Sequence, residues 1–409
     1  MRFFTLLLTF SIIASGFAQK PQTKDKAIYK EKQAGFYQNT ILKGITTYQQ
    51  EKKKAVPMYL AVDMEGKSFP TNPDDYTILS HIGPISQGST GTCWGFSSTS
   101  FVESEVARIT GKKIALSQMF VVYHEYIEKA RAYVQSRGTS NFSEGSEVNA
   151  TMGLLKKYGT VTKEAYTGLL GNQEIYDHRE MVNEMQSYLK TVKRDNFWNE
   201  KVVIETIQDI LNHFMGEPPV KFSFENQEYT PLDFLHKVLQ FNPGDYYNFM
   251  STTAQTYNEK GELKVPDNWW HNNDYYNVPL DDFISIFKYA LKNGYGVAFC
   301  GDVSEPGYDR YSEVGIIPSY DIPHDYINED SREFRFYNRT TTDDHCMHVI
   351  GYVEREDGWW FMIKDSSSAG FDGPHQGYLF LHEDYIKLKI LSALVYKYGA
   401  KEVLDKIIK

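Results

Sequence analysis

Cysteine is scarce in this chain. Three thiols in 409 residues, Cys93, Cys300 and Cys346, are too few for a disulfide-stapled scaffold, and without CxxC or HxxxH spacing they argue against a zinc site. Excess positive charge is missing as well. The formal net charge is −10, with lysines and carboxylates interspersed, so no basic stripe is available to neutralise a phosphate backbone and no nucleic-acid partner is expected. Beyond the first residues no apolar run approaches the roughly 20 residues that a membrane span needs, and no internal repeat or low-complexity tract interrupts the sequence. What remains is a chain long enough to bury a substantial core without staples or metals.

The first residues, MRFFTLLLTFSIIASGFAQK, place Arg2 before an apolar run from Phe3 to Ala14 and small residues at Gly16 and Ala18. They predict a signal peptide over 1–18, cut after Ala18, and an exported product, periplasmic or secreted and soluble. No cysteine adjoins the cut, so a lipid anchor there has no attachment atom. An odd number of cysteines in an exported protein leaves at least one free thiol or a bond between chains. Residues 19–80 carry turn signals such as Asn72-Pro73-Asp74-Asp75 and are expected to form an entry arm; 81–409 is expected to be a single domain.

Apolar positions Phe101, Val102, Val106 and Ile109 recur at helical spacing after Cys93 and stop at Gly111, predicting a long helix that begins at the cysteine. Leu116 to Arg137, Val148 to Tyr158, several stretches between Met181 and Phe249, and Phe283 to Leu291 also read as helices. Strands are predicted from Gly296, and again over Met347 to Val353, Trp359 to Lys364 and Tyr378 to Leu381. Helices first and an antiparallel sheet later define an α+β class.

The string Ser86-Gln87-Gly88-Ser89-Thr90-Gly91-Thr92-Cys93-Trp94-Gly95-Phe96-Ser97 sets a thiol at the first turn of that helix behind a glycine-rich loop. Unpaired N–H groups and the positive end of a helix dipole favour a thiolate, the attacking species. The same N–H groups, with Gln87 as the amide on offer, can hold an oxyanion. This string resembles the active-site signature of the papain superfamily of cysteine peptidases, Gln87 matching the oxyanion-hole glutamine and Cys93 the nucleophile. Downstream, Asp344-His345-Cys346-Met347-His348-Val349-Ile350-Gly351-Tyr352 is similar to the family's histidine strand. Counting back from Gly351-Tyr352 selects His345 as the base and leaves His348 to the core. The family's third member falls in Ile363-Lys364-Asp365-Ser366-Ser367-Ser368, with Asp365 in place of the usual asparagine and Ser367 in place of a tryptophan that shields the site from water. A carboxylate there can still orient the imidazole and favours its protonated form. To set His345 opposite Asp365 the connecting turn should centre near Arg355; a tight turn at Asp357-Gly358 would separate them.

Within the superfamily, the Gly294 to Val303 strand and the helical stretch around Tyr229 to Phe234 resemble the bleomycin hydrolase and aminopeptidase C branch, which implies a papain-like fold, a helical subdomain facing a sheet subdomain, with a helical insertion at about 175–275. Phe142 to Glu147 occupies the place of a glycine-rich motif along which substrates pair, making Gly145, Glu144 and Ser146 candidate substrate-binding residues. Cys300 and Cys346 fall in neighbouring strands, buried, with a disulfide between them left open. The resemblance implies peptide substrates and no cofactor or metal, and it admits a homo-oligomer. It favours an aminopeptidase, against an endopeptidase or a catalytically weakened papain-fold binding protein. In that branch the chain's end lies in the cleft and its carboxylate receives the substrate's amino group. Here Val403, Leu404, Ile407 and Ile408 at helical spacing equally predict a tail docked on the body, with Glu144 or Glu147 supplying the charge instead.

Overall fold

The computed structural model describes residues 29–53 and 58–408, so the expected signal peptide lies outside the described residues. The chain divides into a unit through Tyr59 and a unit from Leu60. In the first, a π-helical turn at Tyr37–Leu42 leads into α1 (Lys43–Lys53), whose residues 43–52 are exposed. The second unit begins earlier than the expected arm boundary at Ser80. Tyr76 is buried against Phe380 and donates its hydroxyl to the Pro70 carbonyl at 2.6 Å, and β1 (Thr77–Ile78) joins the main sheet.

A helical layer comes first: α2 (Cys93–Thr110), α3 (Gln118–Gln135), α4 (Ala150–Tyr158), α5 (Arg179–Arg194) and α6 (Glu200–Met215). Helix α2 is buried from Trp94 to Ala107 and ends on Gly111 in the left-handed conformation, as the apolar spacing and the glycine predict. Met181, Met185, Leu189 and Val192 give α5 a buried stripe of helical period that joins the same core. A hairpin of β2 (Phe222–Phe224) and β3 (Gln227–Tyr229) and the short α7 (Pro231–Asp233) follow.

The rest of the chain builds the main sheet from β4 (Tyr246–Met250), β5 (Glu259–Gly261), β6 (Tyr275–Asn277), β7 (Val297–Gly301), β8 (Tyr308–Asp309), β9 (Val314–Gly315), β10 (His345–Arg355), β11 (Gly358–Lys364), β12 (Tyr378–His382) and β13 (Ile390–Tyr396). Their order is β5-β6-β4-β13-β7-β10-β11-β12-β9-β8, with β1 on β10. Two expectations need correction. The sheet is mixed, because β4 pairs β6 and β9 pairs β12 in parallel. The insertion's long helices end at Met215, with short helical turns only over Pro231–Asp233 and Phe234–Val238; its last part, from Tyr246, adds strands to the main sheet, where Phe249 opposite Ala393 buries both.

One face of the sheet, with Ala298, Cys300, Cys346 and Leu394, packs with α2. The opposite face, with Val297, Phe299, Met347, Val349 and Val395, packs against α8 (Leu280–Lys292). The remaining helices are α9 (Glu329–Tyr337), α10 (Glu383–Lys389) and α11 (Lys401–Ile407). The tail takes the docked form: Val403 and Leu404 are buried in the α8-side core and Lys406 pairs with Asp282 of α8 at 2.6 Å.

Between β10 and β11 the turn is a tight one, but at Glu356-Asp357, one residue before the Asp357-Gly358 alternative, with Arg355 opposite Gly358. The longer turn centred near Arg355 is therefore not formed. Kept in that register, His345 and Asp365 would face opposite sides of the sheet. A bulge at Ile350 restores them: Gly351 pairs Met362 but Val349 pairs Ile363, so one extra residue on β10 flips every side chain beyond it. The Ile350 carbonyl accepts the Leu79 N–H at 2.7 Å, so the stretch before α2 takes up a backbone group of the bulge.

Candidate active site

Cys93 is the first residue of α2 and partly exposed. The loop before it is shaped by glycine. Gly88 has φ 64°, and a Cβ there would collide with the Tyr176 carbonyl oxygen, so no other residue fits without displacing backbone. Glu144 fastens the loop from across the cleft: its Oε2 accepts the Gly91 N–H at 2.8 Å and its carbonyl accepts the Trp94 indole N–H at 3.0 Å.

His345, at the start of β10, sits beside the helix N-terminus. Its Nε2 lies 2.6 Å from Asp365 Oδ1, which leaves Nδ1 as the nitrogen available to Cys93, a neighbour near enough to act on the imidazole charge. Burial acts to lower the imidazole pKa, but Asp365 and Cys93 outweigh it and hold it well above the usual histidine value. Burial acts to raise Asp365, and the His345 charge and the bonds from Ser367 bring it below its usual value instead.

Ser367, in the place of the family's shielding tryptophan, braces the carboxylate directly. Its N–H reaches Oδ1 at 2.8 Å and its hydroxyl Oδ2 at 2.7 Å, while the Tyr308 hydroxyl lies 3.5 Å from Oδ2. Asp365 is 1% exposed, so these groups do the excluding of water. Ser366 faces the other way. Its hydroxyl donates to Gln87 Oε1 at 2.8 Å and its carbonyl accepts the Gln87 N–H at 2.8 Å; Gln87 Nε2 donates one hydrogen to the Thr90 carbonyl at 2.6 Å. The run Asp365-Ser366-Ser367 thus ties the imidazole and the glutamine to one strand end. Gln87, Thr90, Glu144, Arg179 and Ser367 border a cleft of about 360 Å³.

The glycine-rich segment departs from expectation. Ser146 is 2% exposed and its hydroxyl donates to Glu125 Oε1 at 2.5 Å, so its side chain points into the protein and not to the cleft. Gly145 is not a free edge: the buried Lys129 donates to its carbonyl, and the Asp267 carboxylate stands where a Cβ would be. Of the three candidates, Glu144 alone has its side chain at this cleft. Nothing in the sequence marked Lys129, Asp267 or Tyr308, because their approach is fixed by packing between separate segments: Lys129 meets Gly145 from α3, Tyr308 meets Asp365 from β8, and Asp267 reaches Gly145 from more than a hundred residues away.

His348 is fully buried, its Nδ1 2.9 Å from the Ser100 hydroxyl of α2. Burial, then the charge of Lys364, keeps it well below the usual histidine value. Cys300 and Cys346, opposite one another on β7 and β10, form a disulfide, and Cys93 is the free thiol.

A thiol at a helix N-terminus, a histidine on a facing strand and an orienting carboxylate, carried by a helical layer against a mixed sheet, define a papain-like cysteine peptidase. The chain belongs to the Peptidase C1-like family, whose model matches residues 76–407. An aminopeptidase C of Lactobacillus delbrueckii subsp. lactis is 23% identical over 365 residues, covering 78% of this chain and 80% of the relative. Cysteine proteinase 1, mitochondrial, of Saccharomyces cerevisiae is 20% identical over 350 residues, covering 74% and 72%. The crystal structure of PepW from Lactobacillus rhamnosus superposes with a TM-score of 0.64 at 16% identity, covering 90% of this chain and 92% of that one, and shows the same fold. These relatives are those of the aminopeptidase C branch read from the sequence.

Proposed function

We propose that the protein is an exported thiol aminopeptidase acting on peptides. The observation that carries the chemistry is His345 beside Cys93 at the start of α2, with its far nitrogen held by Asp365 at 2.6 Å. Cys93 attacks the carbonyl of the first peptide bond as His345 holds its proton. The tetrahedral oxyanion is met by N–H groups of the first turn of α2 and by the second Gln87 amide hydrogen. The imidazolium then protonates the leaving amine, and His345 takes a proton from water to release the acyl group. Asp365 touches no reacting atom; it fixes the imidazole and favours its protonated form.

The aminopeptidase reading is supported by relatives named Aminopeptidase C in Lactobacillus and Listeria. Export is supported by residues 1–18 and by the Cys300–Cys346 disulfide, a bond that oxidising compartments sustain. Among the described residues no helix is long and apolar enough to cross a membrane. Two measurements test the proposal. Free-amino and acetylated versions of one peptide are compared, and equal cleavage of both removes the aminopeptidase reading. N-terminal sequencing of the protein secreted from its host should begin at Gln19; a mature chain starting at Met1 removes export by this signal.

A further inference from the structure

Beside the nucleophile, on the Gly145 side, carboxyl groups converge without a matching cation. A Glu147 carboxylate oxygen, an Asp343 carboxylate oxygen and the Cys300 sulfur lie within 4.8 Å of one another. The sulfur belongs to the disulfide with Cys346, next to His345 in the chain, and offers no thiolate to a metal. Glu147 is 0% exposed. Its Oε2 accepts the Ser392 hydroxyl at 3.0 Å, and its buried Oε1 has no partner at hydrogen-bond distance, the equally unpaired Tyr275 hydroxyl being among its neighbours. Asp343 is half-buried, so the pair opens to solvent through it. Asp267, over Gly145, adds a third carboxyl. The nearby cation, Lys129, is already engaged by the carbonyls of Ser143 and Gly145.

Burial holds each carboxyl of the Glu147–Asp343 pair above the usual range; for Glu147 it outweighs the lowering effect of its polar neighbours Asp343 and Ser392, and for Asp343 the negative charge of Glu147, Asp267 and Cys93 adds to it. Such a pair is short of one positive charge, and a buried unpaired carboxylate oxygen is costly unless a donor arrives.

We propose that Asp343, backed by Glu147, receives the α-ammonium of a peptide's first residue while Cys93 attacks that residue's carbonyl. This rests on the aminopeptidase reading above. In a peptide the α-nitrogen is separated from the carbonyl carbon by Cα alone, about 2.5 Å. A carboxyl that discriminates a free amino terminus must therefore stand close to the nucleophile. Asp343 is two residues before His345, and its carboxyl lies within 4.8 Å of the Cys300 sulfur, which is bonded to Cys346 beside His345, whereas Val403, Leu404 and Ile407 of the tail pack on the opposite face of the sheet. An acetylated or longer peptide would have to place an uncharged amide and further atoms where Asp343, Glu147 and Asp267 stand.

The test compares an aminoacyl anilide with its desamino analogue on wild-type protein, Asp343→Asn, Asp343→Ser and a chain ending at Leu404. Wild type and the shortened chain should both prefer the free amine. In the two Asp343 variants the preference in kcat/KM should fall about 10- to 100-fold, chiefly through KM, as expected for loss of a charge-assisted bond. Iodoacetamide labelling of Cys93 at the wild-type rate shows that the nucleophile is intact. An unchanged preference in either Asp343 variant with labelling retained overturns the proposal, as does loss of the preference on shortening the tail alone. Equal turnover of both substrates by wild type overturns the aminopeptidase reading itself, a result distinct from either.

Discussion

Substitution Asp365→Asn isolates what a carboxylate adds in a place where the family keeps an amide. The geometry predicts that the bond survives: an asparagine oxygen at the Oδ1 position still accepts from His345 Nε2 and from the Ser367 N–H, and its NH2 replaces Oδ2 opposite the Ser367 hydroxyl, which can rotate to accept. What is lost is charge. Two unit charges about 4 Å apart at an effective permittivity of about 20 interact by about 4 kcal/mol, equivalent to about 3 pKa units. Part of that is offset because the neutral amide is less costly to bury, so the alkaline limb of kcat/KM, which follows loss of the imidazolium proton, should move down by about 2 units. At the new optimum activity should stay within about tenfold of wild type, whereas Asp365→Ala, which leaves His345 unoriented, should lose about 10²- to 10³-fold. The assay is a kcat/KM profile on one peptide substrate. Superimposable alkaline limbs for wild type and Asp365→Asn would refute the reasoning. Stability carries the same signature. The raised His345 contributes fully below its unfolded value of 6.5 and loses its contribution as pH climbs through the folded value; the depressed Asp365 contributes above 3.8 and loses it on acidification through its folded value. Asp365→Asn should therefore lower Tm most near neutrality and least in acid.

Iodoacetamide should attach once per native chain, at Cys93, and Cys93→Ala should abolish both labelling and hydrolysis; a second label on native protein would mean that the Cys300–Cys346 bond is open. Gly88→Ala, at a left-handed position pressed against the Tyr176 carbonyl, should destabilise by about 1–3 kcal/mol and reduce kcat by displacing Gln87; unchanged melting and kcat would show that the loop gives way freely. Ser367→Ala removes one hydroxyl bond from Asp365 and should lower the alkaline limb by less than Asp365→Asn does, with about 1 kcal/mol of stability lost. His348→Ala should cost about 2–4 kcal/mol of stability yet leave the pH profile in place, because this histidine is already neutral in the core; a shifted profile would tie it to the reaction.

The sequence by itself determined the local parts. A cysteine behind Gly88 and Gly91 and ahead of Phe101, Val102 and Val106 specifies a helix N-terminus under a thiol, since loop and helix both follow from neighbouring residues. Asp344 to Tyr352 specifies a strand with a histidine at its mouth. Alternation along that strand puts Cys346 and His348 on one face together, and the structure sets that face against α2. Tertiary structure decided the rest. The pairing of His345 with Asp365 depends on a bulge at Ile350 that reverses the parity of a tight turn, and a bulge is chosen by the neighbours a strand must satisfy, here Leu79, not by its own residues. The stretch from Tyr246 became strand rather than helix because β13 offered a partner for its backbone groups. The glycine edge at Gly145 is occupied by Lys129 and Asp267, and the carboxyl pair Glu147–Asp343 forms only when α4's leading loop meets the start of β10. Charges brought together from remote segments are set by packing, and no spacing along a chain records them.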